Sequence, residues 1–387
     1  MLAAPLNNIS AMPVSAYIHI PFCSHKCDFC DFAAFAGVDH LEDEYGATVV
    51  SEICQRLSGD KSQLASVFYG GGTPGLVKPE TIESIQKSLT ERAPLQAGAE
   101  VSLETTPHSI TESKARDWLA LGINRLSIGI ESLQDDELQA IGRDHTREQA
   151  LAGVERACRA GFTNVSCDFM YALPTQKLSS WRHTLEQFAA LADQYRQIKH
   201  VSAYGLHLAN NSPLFSRFPK ESPSYPDDEA FEGMYDLLVQ TLESQGFYQY
   251  EVSNFARPGF QSAHNLAYWQ NKEYFGFGVS AHRYVGGVRS SNFRSLARYM
   301  KDCLGDETRE EIDEATRLRE AIMLGLRMRA GIDLAAFERE FGFDLLQKNR
   351  RPLEKLMGGG FVELADGHLR ITHRGVPVSN SIIAELI

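Results

Sequence analysis

Hydrophobic and polar residues follow two different rhythms along the first 210 positions of the chain. Short apolar runs typical of buried strands occupy residues 17–20, 67–69, 101–103, 126–128, 165–170 and 201–204. Between these runs, apolar residues recur at i, i+3 and i+4, which predicts helices over residues 41–57, 81–89, 113–121, 147–160 and 181–191. Strands that alternate with such helices form βαβ units, and their right-handed crossovers produce a parallel sheet. The pattern therefore predicts an α/β fold with a full or partial (β/α) barrel, in which chemistry gathers at the C-terminal strand ends.

The rhythm changes in the second half of the chain. A Pro- and Ser-rich loop over residues 211–227 precedes an amphipathic helix predicted over residues 229–245. Further along, three helices without intervening strands precede two short strands around an Asp-Gly turn, and these elements are predicted at 316–330, 333–341, 345–357, 361–364 and 368–372. We expect an N-terminal tail over residues 1–14, a barrel with an extension over 15–300, and a small winged-helix-like α+β domain over 310–387.

The overall charge of the chain bears on nucleic-acid binding. Its 387 residues include 38 Lys and Arg against 50 Asp and Glu, which gives a formal net charge of −12. A protein that binds nucleic acid mainly through phosphates would carry an excess of basic residues. Four basic residues do lie near one helix of the winged-helix-like region, Lys348, Arg350, Arg351 and Lys355, but Glu354 is interspersed among them. We interpret this group as a solvated face and expect no nucleic-acid partner.

Apolar runs and cysteine usage bear on the cellular compartment. The sequence has no run of the roughly 18 apolar residues that a membrane-spanning helix requires. Residues 1–14 lack the basic start and the apolar stretch of a signal peptide. The seven cysteines are an odd number, which indicates a reducing cytosol rather than a disulfide framework. We therefore expect a cytoplasmic protein without a transmembrane segment.

Three of the seven cysteines, Cys23, Cys27 and Cys30, lie within eight residues directly after the first predicted strand. Three thiolates on one loop can ligate three irons of a cubane cluster and leave the fourth iron open to an exchangeable ligand. The alternative is a structural zinc site, which requires a fourth ligand. No second C-x2-C pair exists, but His19 or His25 would be available for that role.

We identify a resemblance to the radical S-adenosylmethionine (SAM) superfamily in the segment Tyr17-x-His19-Ile20-Pro21-Phe22-Cys23-x3-Cys27-x-Phe29-Cys30. Its His-Ile-Pro-Phe portion is typical of the anaerobic coproporphyrinogen III oxidase family. The resemblance implies a partial (β/α) barrel with a [4Fe–4S] cluster whose open iron chelates SAM. Reduction of such a cluster would cleave SAM into methionine and a 5′-deoxyadenosyl radical, while the protein orients the cofactors. It also implies that Tyr17 and Phe29 contact SAM, with Phe29 packing on the nucleoside.

The same resemblance assigns further residues to SAM. Consecutive glycines let the backbone approach a ligand and expose N–H groups, and the run Gly70-Gly71-Gly72-Thr73-Pro74 resembles the GGE-like motif that binds the SAM amino group. Carboxylates follow at the predicted ends of the third, fourth and fifth strands. The implied SAM contacts are Gly71, Gly72, Thr73, Glu104, Glu131, Arg143 and Asp168. Glu131 stands where the family usually has Gln, and Ala172 stands where it usually has Gly.

Three features favour the HemW-like haem chaperone branch of this family. Phe32 occupies the position where the oxidases have a fourth cysteine, and the sixteen residues before the first strand leave no room for the N-terminal extension of the oxidases. The segment His264-Asn265-Leu266-Ala267-Tyr268-Trp269 resembles the proposed haem motif of the branch, which implies haem contacts for His264, Asn265, Tyr268 and Trp269. A neutral imidazole is a suitable axial ligand, and aromatic rings can stack on a porphyrin. Taken alone, His264 and Trp269 are also explained as packed core residues.

The resemblance thus predicts a protein that binds haem, delivers it to acceptor haemoproteins, respiratory ones included, and carries a SAM-ligated [4Fe–4S] cluster. A peripheral contact with a membrane is compatible with this role. Whether the chain is an enzyme stays open, and Phe32 argues against coproporphyrinogen III dehydrogenation. The alternatives are an oxygen-independent coproporphyrinogen III oxidase that forms protoporphyrinogen IX, a radical SAM enzyme that acts on haem itself, and a zinc-binding adaptor.

Overall fold

The computed structural model describes residues 13–60, 62–210 and 212–387 of the chain. All six predicted strands of the first half are present, and each is longer than predicted. Numbered along the chain, the strands are β1 (Val14–Ile20), β2 (Phe22–Cys23), β3 (Phe35–Ala36), β4 (Leu64–Gly71), β5 (Leu95–Thr105), β6 (Arg125–Glu131), β7 (Val165–Tyr171), β8 (Ile198–Gly205), β9 (Tyr248–Gln249), β10 (Asn254–Ala256), β11 (Tyr274–Phe277), β12 (His282–Val285), β13 (Val288–Asn292), β14 (Asp306–Glu311), β15 (Ile332–Asp333), β16 (Val362–Ala365) and β17 (His368–Ile371).

The helices of the first half also lie where the apolar spacing predicts them. Their bounds are α1 (Glu42–Arg56), α2 (Pro79–Thr90), α3 (Glu112–Ala120), α4 (Asp135–Ala140), α5 (Arg147–Ala160), α6 (Leu178–Gln194), α7 (Pro213–Arg217), α8 (Asp228–Ser244), α9 (Ala263–Trp269), α10 (Leu296–Lys301), α11 (Glu314–Gly325), α12 (Leu334–Phe341), α13 (Leu345–Lys348), α14 (Arg350–Gly358) and α15 (Ser379–Ala384). None of these helices combines the length and the apolar character that crossing a lipid bilayer requires.

The large sheet contains twelve strands in the order β14-β13-β12-β11-β1-β4-β5-β6-β7-β8-β10-β9. Its central strands β1, β4, β5, β6, β7 and β8 are parallel neighbours, as βαβ units require. β11 adds a further parallel strand to the β1 edge, and antiparallel strands complete both ends. The predicted fold class, a partial (β/α) barrel within an α/β protein, is confirmed.

The parallel strands present one face to the helices and the other to the barrel interior, because side chains alternate along a strand. In β1, Ala16, Ile18 and Ile20 belong to the main apolar core, which the helices complete. The intervening Tyr17 and His19 line an interior hollow instead. The helix-facing side therefore stabilises the fold, and the inward side carries the polar groups.

The apolar pattern did not predict the sheet extension formed by β11 to β14. The edge strand β14 is almost entirely charged and exposed, which suits an edge that must not pair with another chain but gives no apolar signal. A buried carboxylate, Glu52 in α1, anchors the extension to the barrel. It accepts hydrogen bonds from the Gly278 N–H at 2.9 Å, the Asn292 amide at 2.8 Å and the Tyr299 hydroxyl at 2.8 Å.

The C-terminal region has its own apolar cluster and a three-stranded sheet in the order β15-β17-β16. The predicted hairpin is present, and Asp366 and Gly367 both have positive φ at its turn. The single helix predicted over residues 345–357 is wrong, because Asn349 separates α13 from α14. Pro352 has no N–H to donate to the preceding turn, which interrupts the hydrogen bonding there, and α14 begins at Arg350. The helix predicted over 316–330 ends at Gly325.

Candidate functional site

The cysteine loop, residues 23–32, is tied to two other parts of the barrel. The Asp28 N–H donates to the carbonyl of Ile141 at 3.2 Å, and the Asp28 carbonyl accepts from the Leu214 N–H at 2.9 Å. The Asp28 carboxylate also pairs with Arg217 at 2.5 Å. Leu214 and Arg217 belong to α7, which lies in the segment predicted as a loop. This short helix therefore corrects that prediction and helps to hold the cysteine loop in place.

The cysteine loop forms one wall of a hollow of about 150 Å³ among the carboxyl ends of the parallel strands. We call this hollow the cluster cavity. Cys23, Cys27, Cys30 and Phe29 all line it. The predicted SAM residues of the barrel that line the same hollow are Gly71, Gly72, Thr73, Glu104, Glu131, Arg143 and Asp168. The structure thus brings together every residue predicted for the cluster and for SAM except Tyr17.

The spacing of the three thiols does not fit three ligands of a single zinc ion. Burial raises the pKa of Cys23 to about 11 and also raises the pKa values of Cys27 and Cys30, so a bound cation is needed to hold them as thiolates. Within the described residues, the three sulfur atoms do not all lie within 4.8 Å of one another. Sulfurs on a single zinc ion, each about 2.3 Å from the metal, would lie roughly 4 Å apart.

His19 is not available as a fourth zinc ligand in this arrangement. Its Nε2 atom lies 3.0 Å from the carbonyl oxygen of Ala33 and donates to it, and its Nδ1 atom accepts from the Tyr17 hydroxyl at 3.1 Å. Both ring nitrogens therefore have partners within the protein. Burial lowers the pKa of His19 to about 4, so the ring is neutral near pH 7.

The glycine run approaches the cysteine loop closely, but its N–H groups are not exposed as predicted. The Gly71 N–H donates to Glu104 Oε2 at 3.0 Å, the Gly72 N–H to the Ile20 carbonyl at 2.8 Å, and the Thr73 N–H to the Phe22 carbonyl at 2.8 Å. Gly71 has a φ of 116°, and a Cβ atom there would lie 2.5 Å from the His19 ring. Glycine is therefore required at this position for the backbone to pass the ring.

Three carboxylates face the cluster cavity: Glu131 is buried, and Glu104 and Asp168 are half-buried. Burial is the main cause that raises the pKa of Glu104 to about 7. The nearby Asp168 also raises this pKa, whereas the hydrogen bond from the Gly71 N–H lowers it. Burial likewise raises the pKa values of Glu131 and Asp168. Asp168 lies in the middle of β7 rather than at its end, and Ser127 and Ser166 each donate to its carboxylate at 3.0 Å. A cationic ligand would stabilise all three in their ionised form, which fits the sulfonium and ammonium groups of SAM.

Arg143 faces the cysteine loop rather than the open part of the cavity. Its guanidinium lies 3.2 Å from Cys27 Sγ, donates to the Gly129 carbonyl and lies 3.9 Å from Glu131 Oε1. Burial alone would lower the pKa of Arg143, but Glu131 and Cys27 raise it. The guanidinium is therefore charged, and it is placed to offset the negative charge of a thiolate at Cys27.

A larger hollow of about 590 Å³ opens beside β1, β11 and β12, and we call it the side cavity. Tyr17, predicted to contact SAM, lines the side cavity instead of the cluster cavity. Phe32 lines both hollows and is 62% exposed. Since both hollows reach this one side chain, the two cavities are neighbours on the cysteine loop.

The four residues of the predicted haem motif do not face one cavity. His264 is buried, its Nδ1 lies 3.0 Å from Ser66 Oγ, and its Nε2 lies 2.8 Å from the Tyr268 hydroxyl. Tyr268 lines the side cavity, whereas Trp269 lines a separate hollow beside α11 and α12. Asn265 lines neither the cluster cavity nor the side cavity. In this conformation, His264 has no free nitrogen for a haem iron.

The sequence interpretation overlooked a second group of potential metal ligands near the cysteine loop. Ligand atoms of His108, Asp144 and His145 all lie within 4.8 Å of one another. The Nδ1 atoms of both histidines are buried without a hydrogen-bond partner among the described residues. Ser24 of the cysteine loop donates to Asp144 at 2.9 Å, which joins this group to the cluster cavity. Asp144 and His145 are adjacent in the loop before α5, but His108 lies far earlier in the chain, so no local spacing signals the group.

Comparison with known proteins agrees with this architecture. Residues 17–188 match the radical SAM superfamily, and residues 312–378 match the HemN C-terminal domain. The chain is 31% identical over 380 residues to "Heme chaperone HemW" of Bacillus subtilis, an alignment that covers 96% of this chain and 99% of that protein. This chain belongs to the HemW family. The family resemblance predicted from the cysteine motif is thereby confirmed.

Further relatives place the HemW family among a wider group. "Radical S-adenosyl methionine domain-containing protein 1, mitochondrial" of Danio rerio is 34% identical, over 97% of this chain and 87% of that protein. The crystal structure of coproporphyrinogen III oxidase (HemN) from Escherichia coli superposes with a TM-score of 0.83 at 22% identity, over 97% of this chain and 90% of that one. The HemN likeness shows a shared fold. The residue assignments to SAM and haem stay predictions of the HemW family resemblance.

Proposed function

We propose that this chain is a haem chaperone, which binds haem and delivers it to acceptor haemoproteins. We further propose that Cys23, Cys27 and Cys30 hold a [4Fe–4S] cluster with SAM on its open iron. The observation that carries the proposal is the nearly full-length similarity to a "Heme chaperone HemW", which extends over both major parts of the chain. The gathering of cysteines, glycines and carboxylates in the cluster cavity supports the cofactor set.

When bound, the cluster and SAM would supply one-electron chemistry, and the residues of the cluster cavity would prepare the site for it. Arg143 offsets thiolate charge at Cys27, and Glu104 and Asp168 offer negative charge to a cationic ligand. Phe29 packs against the small apolar cluster that includes Ile141 and Met170, which fixes its ring on the loop side of the cavity. These contacts hold the loop before any cofactor arrives.

The partners and the compartment are part of the same proposal. The chain would work in the cytoplasm and donate haem to haemoproteins, respiratory ones included, with contact to a membrane limited to its surface. Two of the basic residues on the C-terminal region have acidic partners: Arg350 pairs with Glu354 at 2.9 Å and Lys355 pairs with Glu385 at 3.1 Å. This neutralisation supports the expectation that the region does not bind nucleic acid.

The deciding experiment compares haem carriage with porphyrinogen oxidation in one preparation. The full chain is reconstituted anaerobically with iron and sulfide, and its blue absorbance and iron content are measured. We expect stoichiometric haem binding, and transfer of that haem to an apo-cytochrome followed by its absorbance. We expect no protoporphyrinogen IX when SAM, reductant and coproporphyrinogen III are added.

Each arm has an outcome that contradicts the proposal. Formation of protoporphyrinogen IX would favour the oxidase alternative, and a chain that binds zinc but no iron–sulfur cluster would favour the adaptor. Cys54→Ala is the matched control for the cysteine variants, because Cys54 lies outside both cavities and hydrogen-bonds Ser88 at 3.5 Å. It should retain the cluster.

A further inference from the structure

The location of the haem is not settled by the motif around His264, and the remaining histidines near the cavities differ in how free they are. His19 and His264 each have both ring nitrogens in hydrogen bonds. His282, at the start of β12, lines the side cavity and is exposed. In the described part of the chain, no hydrogen bond restrains its ring. His282 therefore has a nitrogen that an iron can reach.

The size and walls of the side cavity suit a flat macrocycle. Its volume of about 590 Å³ falls within the range of roughly 300–1,000 Å³ that is typical of cofactor sites. Tyr268, Tyr274 and Tyr284 form an aromatic wall, in which Tyr268 and Tyr274 meet edge to face at 4.6 Å between ring centroids. Phe32 and Met323 add apolar surface from the cysteine loop and from α11. His282 and Tyr284 stand two residues apart on β12, so they share a face.

The charges of the side cavity suit a ligand with two carboxylates. Arg289 is already neutralised by Glu320, with two bonds of 2.7 and 2.8 Å. Lys272 and Arg294 also line the cavity, and neither forms an ion pair with a described acidic side chain. Arg294 donates to a backbone carbonyl, that of Asp31. Two cations are thus available for two carboxylate groups.

We propose that the side cavity is the haem site, with His282 as the axial ligand of the iron and with Lys272 and Arg294 paired to the propionates. This inference rests on the proposed function and assigns its binding site. Haem carries two propionates, which matches the two cations that the cavity offers, whereas coproporphyrin carries four. His264 is a positioning residue, because its hydrogen bond holds the Tyr268 ring in the cavity wall.

Partial desolvation in the cavity wall and the neighbouring Arg289 lower the pKa of His282, which favours the neutral imidazole that binds iron. The cavity also adjoins the cysteine loop through Phe32. Haem in this place would lie next to the cluster cavity without entering it. The loop that holds the cluster would then also form part of the haem site.

The test is a haem titration of the full chain that compares His282→Ala with His264→Gln. We expect His282→Ala to weaken haem binding by about tenfold or more, which corresponds to about 1.4 kcal/mol, and to lose the absorbance of histidine-ligated haem. Added imidazole should restore that absorbance. His264→Gln retains hydrogen-bonding groups, and we expect it to keep histidine ligation. A Lys272→Met/Arg294→Met double variant should weaken haem and metal-free protoporphyrin IX alike.

Metal-free protoporphyrin IX separates ligation from folding. It needs no axial ligand, so His282→Ala should bind it as the parent does, which also shows that the cavity is intact. Unchanged haem affinity and absorbance in His282→Ala, or their loss in His264→Gln instead, would overturn this assignment while leaving the chaperone proposal in place. A parent chain that binds no haem would contradict the chaperone proposal itself.

Discussion

The cluster cavity and the side cavity share one wall residue, Phe32, but they differ in whether the groups proposed to bind their ligands already have partners. In the cluster cavity, Glu104 accepts from a backbone N–H, Asp168 accepts from two serines, and Arg143 contacts Cys27. In the side cavity, His282 and Lys272 have no such partners among the described residues. A resident cofactor benefits from a fully organised site, whereas cargo that must leave is better held by a few groups that can release it.

The largest expected effect is loss of the cluster from one cavity without loss of haem binding in the other. Cys27→Ala removes one of the three proposed cluster ligands and leaves Arg143 without its thiol. We expect iron content to fall from about four atoms per chain to near zero. Because the sites are distinct, haem affinity should change by less than about twofold. Iron analysis and a haem titration on the same sample measure both, with Cys54→Ala as control. Joint loss of iron and haem would mean that the two share one site.

The second prediction concerns pH and the carboxylates of the cluster cavity. The pKa of Glu104 is raised to about 7 by burial, and a cationic ligand favours its ionised form, so SAM binding releases a proton. We expect reconstituted protein to bind SAM about tenfold more weakly at pH 6 than at pH 8. Since the folded-state pKa lies above the ordinary 4.5, this group also lowers the unfolding free energy as pH rises from 4.5 to 7.

Anaerobic equilibrium dialysis at both pH values measures this effect. Glu104→Gln should flatten the pH dependence of SAM binding. Glu251→Gln is the matched control, because burial also raises the pKa of Glu251 to about 7 but the residue lines neither cavity. If SAM binding by Glu104→Gln depends on pH as strongly as binding by the parent does, the released proton comes from another group.

The third prediction tests the shared wall. Phe32→Ala removes an exposed ring that lines both hollows, and loss of one aromatic contact of about 0.5–1.5 kcal/mol corresponds to a roughly two- to tenfold weaker affinity. We expect haem affinity to fall in this range and the reconstituted cluster to decay faster in air. Leu178→Ala, at an exposed apolar residue that lines neither cavity, is the control. If Phe32→Ala changes neither the haem affinity nor the rate of cluster decay, the Phe32 ring is not a functional wall of either cavity.

The smallest expected effect concerns backbone strain near the cluster cavity. Ala172 follows β7 with a φ of 58°, a conformation that costs a residue with a Cβ about 1 kcal/mol. Ala172→Gly should therefore raise the unfolding free energy by about 1 kcal/mol, partly offset by the greater freedom of glycine in the unfolded chain. Ala152→Gly, inside α5, should lower it by about 1 kcal/mol. Denaturant unfolding measures both, and a destabilised Ala172→Gly would contradict the strain argument.

Much of the barrel was predictable because its strands and helices bury apolar residues with clear periods. The sheet extension was not predictable, for two reasons. β14 is charged and gives no apolar signal. β11 is a short apolar run interrupted by Gly276, which packs closely against the His282 carbonyl. The positive φ of Ala172 explains why the family usually has glycine there. Local patterns predict elements well, but they do not predict edges that are stabilised by distant partners.

In the candidate site, too, some features follow from local sequence and others depend on distant partners. Residues at the ends of neighbouring parallel strands meet by topology, so the contents of the cluster cavity could be predicted without contacts. The hydrogen bonding of His264 could not be predicted, because Ser66, which bonds one of its ring nitrogens, is 198 positions away in the sequence. His282 did carry a signal, since the pattern His-x-Tyr on a strand places both side chains on one face. That signal becomes visible only after β12 is known.

The alternation of outward and inward side chains along β1 has a consequence for how the sequence can change during evolution. Ala16, Ile18 and Ile20 face the helices and determine stability, while Tyr17 and His19 face inward. Substitutions at inward positions therefore change the lining of the hollow rather than the apolar core, and substitutions at outward positions can drift among apolar types without loss of chemistry. A barrel of this kind lets lineages exchange one activity for another while the scaffold persists. At 22% identity to the E. coli oxidase, this chain still has nearly the same backbone.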